Sequence, residues 1–210
     1  MRKFNIKAVA AILCAVSLVA APVGDAAVSG SSTVYAASKK IKGTYHQSDS
    51  RKMLKKINKF RTGKDAWFYE SEGSDRKVKL TDLKKLKYSY ALEKIAMKRA
   101  AEISYYFEHT RPNGESCFSL YPEGFMSMGE NIAAGQESVN EVFTAWQETN
   151  ESYNGQGHRR NMLNEGFTCV GIACFEVNGM KYWVQEFGSP TDSEKKTKAV
   201  DKEKTVRIEV

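Results

Sequence analysis

Apolar residues return every three or four positions over residues 50–61, at Met53, Leu54, Ile57 and Phe60. That spacing predicts a helix, closed by Gly63. A second helical pattern covers 90–106, where Leu92, Ile95, Ala96, Arg99, Ala100 and Ile103 lie near one face and the alanines permit close packing. Ser138-Val139-Asn140-Glu141 matches a capping box, with Ser138 as N-cap and Glu141 at the third helical position. Val139, Val142, Phe143 and Trp146 then trace the apolar face of a third helix, ending near Thr149. After residue 168 the period changes to two. Cys169–Val177 and 180–187 alternate, and Asn178-Gly179 between them supplies the positive φ of a type I′ hairpin turn. The stretch 65–80 reads as a surface loop whose Trp67, Phe68 and Tyr69 fold back onto the core. Thr81-Asp82 would cap a turn through Leu86, and Arg111-Pro112-Asn113-Gly114 and 150–157 read as turn and loop. Residues 205–210 alternate like a strand without an obvious partner, behind a charged stretch from Ser189-Pro190 that predicts a mobile tail.

The first residues are of another kind. Arg2, Lys3 and Lys7 precede an apolar run over 8–21, the arrangement of a secretory signal, with small-residue cleavage positions at Ala36 or Ala26. The run is shorter than the roughly 20 apolar residues of a membrane span, so cleavage is expected over anchoring. The expected organisation is a signal peptide over 1–36, a basic, loosely held leader over 37–49, one domain over 50–190 and a charged tail over 191–210. The 210-residue chain carries a net charge of +7. The excess is concentrated over 39–64, which favours an anionic polymer at a cell surface or else a solvated helix face. No repeat, phosphate-cradling glycine loop or Cys/His zinc spacing occurs, and no nucleic-acid partner is expected.

Cys117, Cys169 and Cys174 follow the signal, an odd number for an oxidising compartment. Cys169 and Cys174, five apart on one strand, would stand about 16 Å apart on opposite faces, too far to bridge. A disulfide would therefore join Cys117 to one of them, with Cys174 favoured. Three buried thiols is the alternative.

Candidate chemistry gathers at two glycine-bounded segments, Gly129-Glu130-Asn131-Ile132-Ala133-Ala134-Gly135 and Gly157-His158-Arg159-Arg160-Asn161-Met162-Leu163, with His109 upstream. A carboxylate beside so apolar a centre has to be paired, because an isolated buried charge is very costly. His109, just past a helix end, also suits a capping role. Two imidazoles with one or two carboxylates can hold Zn²⁺ or another divalent cation, can prepare a histidine as general base, or can simply pin three loops together. No serine or cysteine stands out as a nucleophile, so a hydrolase would need an activated water. Arg159 and Arg160 could clamp an anion. Asn131 and Asn161 join Arg159 as binding candidates and also read as locks for buried backbone groups.

Taken in order, the helix before His109, Gly129-Glu130-Asn131-Ile132, Trp146, the Gly157 to Leu163 motif and Tyr182-Trp183-Val184-Gln185-Glu186-Phe187-Gly188 resemble the CAP superfamily of cysteine-rich secretory, antigen 5 and pathogenesis-related proteins, in its secreted bacterial branch. The resemblance spans about 50–188. It implies an α+β fold, a three-layer α/β/α sandwich with a small antiparallel sheet between helices. It also implies a cleft with two histidines, His109 and His158, and two acids, the first being Glu130. Where many members carry the second acid this chain has Thr149, flanked by Glu148 and Glu151. A one-residue shift would let Glu148 or Glu151 serve, with Glu148 the candidate site residue, and the Thr149 hydroxyl matches the residue that bacterial members often carry there instead. The resemblance further implies an extracellular protein that binds a lipid, a cell-wall polymer or a protein, with metal-assisted hydrolysis as the alternative.

Overall fold

A computed structural model describes residues 37–125, 127–189 and 195–210. The signal-like segment lies outside them. Strand β1 (Ser38–Tyr45) leads into helix α1 (Gln47–Arg61), a short hairpin of β2 (Trp67–Tyr69) and β3 (Lys77–Lys79), the two-residue β4 (Lys87–Tyr88) and helix α2 (Tyr90–Ile103). Next come a 3-10 turn (Cys117–Leu120), β5 (Met128–Ala134), α3 (Val139–Gln147) and α4 (Gly157–Leu163). The hairpin β6 (Cys169–Val177) and β7 (Met180–Gly188) and the strand β8 (Glu203–Glu209) complete the order.

One sheet runs β5-β7-β6-β1-β8, with β4 pairing in parallel with β6. Helix α2 covers one face. Its Ala96, Ala100 and Ile103 pack on Ile132, Ala173, Phe175 and Val184. Helices α1, α3 and α4 cover the other, where Met53, Ile57, Trp146 and Met162 meet Ile172, Cys174, Trp183 and Phe187. This is the expected α+β sandwich with a sheet between helical layers. The small residues of α2 matter because the helix lies directly on the sheet backbone. A Cβ on Gly171 would come within 2.1 Å of Glu93 N and 2.2 Å of Leu92 C.

Local chemistry matches the pattern in several places. Ser89 Oγ accepts from Leu92 N and caps α2, and Ser138 Oγ accepts from Glu141 N and caps α3. Asn178 and Gly179 have φ of 52° and 79°, as a type I′ turn requires. Helix α2 stops at Ile103, three residues before the expected end, and α3 stops at Gln147.

Elsewhere the structure departs from the pattern. The expected loop over 65–80 contains β2 and β3. The expected leader is β1, and the strand without a partner is β8, its partner for seven residues from Ser38↔Glu209 to Thr44↔Glu203. Neither could be stable alone. Together they bury Tyr45 and Ile208 against α2 and the sheet. Residues 190–194 of the expected tail lie outside the description, but 195–202 are fastened. Arg51 donates to Thr197 O at 2.9 Å, Gln47 N to Val200 O at 3.2 Å and Ser48 N to Asp201 Oδ1 at 2.8 Å. No disulfide joins the described cysteines, and Cys117, Cys169 and Cys174 are all buried. Cys169 packs with Leu92 and Ile95 on the α2 face while Cys174 sits in the cluster on the opposite face, as the odd spacing requires.

Candidate functional site

The site is built around β5, the edge strand of the sheet. An edge carries unpaired backbone groups, and here helices on one side satisfy them. Asn161 Nδ2 donates to Glu130 O at 3.2 Å, and Trp146 Nε1 donates to Ile132 O at 3.3 Å. Asn161 also donates to Asn131 Oδ1 at 2.9 Å. Asn131 in turn donates to Gln185 Oε1 at 2.9 Å and to His158 O at 3.2 Å. The two asparagines thus lock α4 to β5.

Glu130 and Asn131 are neighbours on a strand, so their side chains leave opposite faces. Glu130 turns toward α2, where its Oε1 lies 2.7 Å from His109 Nδ1 and Arg99 Nε donates to its Oε2 at 2.7 Å. On the side of Asn131, His158 Nδ1 bonds to Glu148 Oε1, and Glu148 Oε2 accepts from Arg159 N at 3.1 Å. Two His–Glu pairs therefore flank one edge strand. Glu148, and not Thr149, is the residue that bonds His158. It is the C-cap of α3 at φ 45°, a left-handed conformation that glycine or asparagine would adopt more easily. That backbone choice turns the carboxylate toward His158.

The pairing decides the tautomer. A carboxylate only accepts, so each imidazole carries a proton on Nδ1, and in the neutral ring Nε2 is then the lone pair. Both Nε2 atoms are buried and have no hydrogen-bond partner among the described residues. Burial alone would raise the Glu130 pKa. The Arg99 guanidinium and His109 overcome it and hold the carboxyl down to about 2. Glu130 is therefore ionised at neutral pH.

Other members of the cluster went unrecognised in the sequence. Arg99 is fully buried and bridges Glu130, Glu102 and Glu108 O. Its signal was a cation on the core face of an alanine-rich helix, which calls for an acid opposite. Glu186 lies directly across from Glu130 in the ladder and is also fully buried. Its signal was a carboxylate in an inward position of an alternating strand. Tyr121 Oη is 2.9 Å from both Glu186 Oε2 and Phe187 O, and one hydroxyl hydrogen cannot serve both. Protonation of Glu186 would supply the second. Burial and the Glu130 charge push its pKa well above the ordinary glutamate value. A raised folded-state pKa favours the native state fully below the unfolded value of about 4.3, and that contribution is lost as pH rises through the folded value. Glu186→Gln should therefore melt higher than the parent at about pH 8 and no higher at about pH 4. Thermal melts at the two pH values test this, and a parallel shift at both would contradict it.

Arg159, a binding candidate by type, lies inside. Its guanidinium donates to Trp67 O, to Gln147 O at 2.5 Å and to Asp65 O at 2.6 Å, and it stacks 4.2 Å from the Trp67 ring. That use braces loops and leaves little for a ligand. Arg160 is half-buried and reaches Tyr153 O.

A model of the CAP domain, the cysteine-rich secretory protein family, matches residues 54–187. The chain belongs to this family. YkwD, an uncharacterized protein of Bacillus subtilis strain 168, is 34% identical over 110 residues, 50% of this chain and 40% of that protein. The chain thus spans less than half of that relative's length. An outer surface protein from Borrelia burgdorferi superposes with a TM-score of 0.53 at 19% identity, covering 71% of this chain and 99% of that one. NaASP2, solved with Zn²⁺, has a TM-score of 0.49 at 20% identity, covering 68% and 80%. At these identities the structural likeness is one of fold. Strands β1 and β8 lie outside the matched CAP residues.

Among the described residues of this CAP domain, His109, Cys117 and Glu130 also bring potential ligand atoms within 4.8 Å of one another. A cation there would compete with Arg99 for Glu130. Burial, with Glu130 and Glu186 nearby, pushes the Cys117 thiol pKa up and keeps it protonated. A ligand on either Nε2 would leave that ring's carboxylate partner in place as the group that orients it. No helix among the described residues is long and apolar enough to cross a membrane.

Proposed function

We propose that this CAP domain acts outside the cell as a binding domain, and that His109 and His158 take a divalent cation such as Zn²⁺ through Nε2. What carries the reading is the pair of buried, unpartnered Nε2 atoms, each on a ring oriented by a carboxylate. A bound ion would supply a Lewis-acidic centre with positions open to a ligand oxygen. Glu130 and Glu148 fix the rings, and Asn131 and Asn161 hold α4 against β5. The larger ligand is a lipid, a wall polymer or a protein. The secretion signal in the sequence supports an extracellular setting.

Calorimetric titration with Zn²⁺ near neutral pH should show stoichiometric binding that His109→Ala or His158→Ala removes. Glu148→Gln should weaken it by about 10–100-fold, the usual effect of losing an orienting partner. Absence of binding at micromolar Zn²⁺ would defeat the proposal for the metal. The hydrolase alternative uses His109, His158 and Glu130 on an activated water, and the protonated, buried Cys117 offers no nucleophile in its place. Robust turnover that His158→Ala abolishes would replace binding with catalysis.

A further inference from the structure

Away from the two histidines, the loop between β3 and α2 and the segment after α4 enclose two adjoining hollows of about 710 and 510 Å³, which share Leu80 and Glu165. Phe68, Leu80, Leu83, Leu163 and Phe167 supply apolar surface along them. Lys79, Lys84, Lys85, Lys87 and Arg160 also line them, against the acids Asp82 and Glu165. Of the surface lysines, Lys42, Lys52 and Lys181 are paired, with Glu203, Asp49 and Glu137. Among the described residues none of the four groove lysines has an ion-pair partner.

The groove is held open by buried groups. Arg61, 1% exposed, donates to Lys84 O at 2.9 Å on one wall and to Met162 O and Asn164 O, at 2.8 and 2.9 Å, on the other. Asn58 clasps the same loop twice, donating to Leu86 O at 2.9 Å and accepting from Leu86 N at 2.7 Å. The lysine-bearing wall has no regular secondary structure between Lys79 and Lys87, yet α1 fixes its backbone at three points. Cations on a fixed wall lose less entropy on binding than cations on a free loop.

We infer that this groove binds a linear polyanion of phosphodiester-linked sugar or polyol units, with the lysines on successive phosphates and the apolar floor against the carbon backbone. Charge complementarity favours a repeating anion over a single one, because the cations are spread along two joined hollows. Both hollows are open to solvent, so an acyl chain would stay half in water. Phe167 is buried and Phe68 half-buried, which leaves no exposed ring for stacking a nucleobase.

Binding of linear inorganic polyphosphate, followed by calorimetry at low salt, tests the assignment. The parent protein should bind it, and affinity should fall as salt rises. Lys84→Glu with Lys85→Glu should weaken binding roughly tenfold or more. Lys40→Glu with Lys204→Glu makes the same change in net charge on β1 and β8, which lie beyond the opposite end of β6 from the groove, and should leave binding within about twofold. Zn²⁺ binding should be unchanged in the groove variant, so the two sites fail or stand separately. Equal losses in both charge-reversal pairs would reduce the effect to net charge and overturn the groove. Capture by phosphatidylglycerol vesicles or single-stranded DNA without binding of polyphosphate would overturn the polymer.

Discussion

Arg99→Met is expected to cost about 3–5 kcal/mol of folding stability, the usual consequence of removing one partner from a buried ion pair. Arg99 is fully buried, and its guanidinium answers two carboxylates, Glu130 at 2.7 Å and Glu102 at 2.9 Å. Methionine fills much of the volume but leaves both acids inside the protein, with Arg111 on Glu102 and His109 on Glu130 as the nearest compensation. Urea denaturation at neutral pH measures the loss. Its pH dependence carries a second signature. Glu130 is held down to about 2 in the fold, so its contribution is present above the unfolded value of about 4.3 and is lost as pH falls toward the folded value. Without Arg99 that depression shrinks, and the gap between parent and variant should narrow with acid. A loss below about 1 kcal/mol, constant with pH, would mean that the network contributes little to stability.

Gly171→Ala should cost about 1–3 kcal/mol or more by overpacking. The added methyl would meet Glu93 N and Leu92 C, and backbone atoms at the start of a helix cannot turn aside as a side-chain tip can. The helix would have to lift from β6. Arg99 lies two turns further along that helix and faces Glu130, so displacement there should also loosen His109. Thermal melts and a Zn²⁺ titration on one sample test both effects. A melting temperature unchanged from the parent would show that α2 does not rest on Gly171.

Much of the architecture was legible in local pattern. The periods of α1, α2 and α3, the cap Ser138 and the Asn178-Gly179 turn depend on residues close in sequence, and they form where that chemistry places them. Family motifs then indicated the sandwich and His109, Glu130 and His158. The misread segments share a cause. Neither β1 nor β8 has a partner near it in sequence, and a lone strand gains nothing until a ladder forms. Read one at a time, they look like a basic leader and a charged tail.

The site shows the same division. The sequence by itself determined that Glu130, on so apolar a segment, would have to be paired, because an isolated charge is very costly in a core, and the family motifs added His109 and His158. Only the tertiary structure decided which acid serves which histidine. Glu148 reaches His158 because its backbone turns left-handed at the end of α3, a conformation no side-chain pattern announces. Only the ladder set Glu186 across from Glu130, and only helix packing placed Arg99 between Glu130 and Glu102. Pairing of buried charge depends on distances of a few ångströms between residues far apart in the chain. Local spacing does not encode those distances.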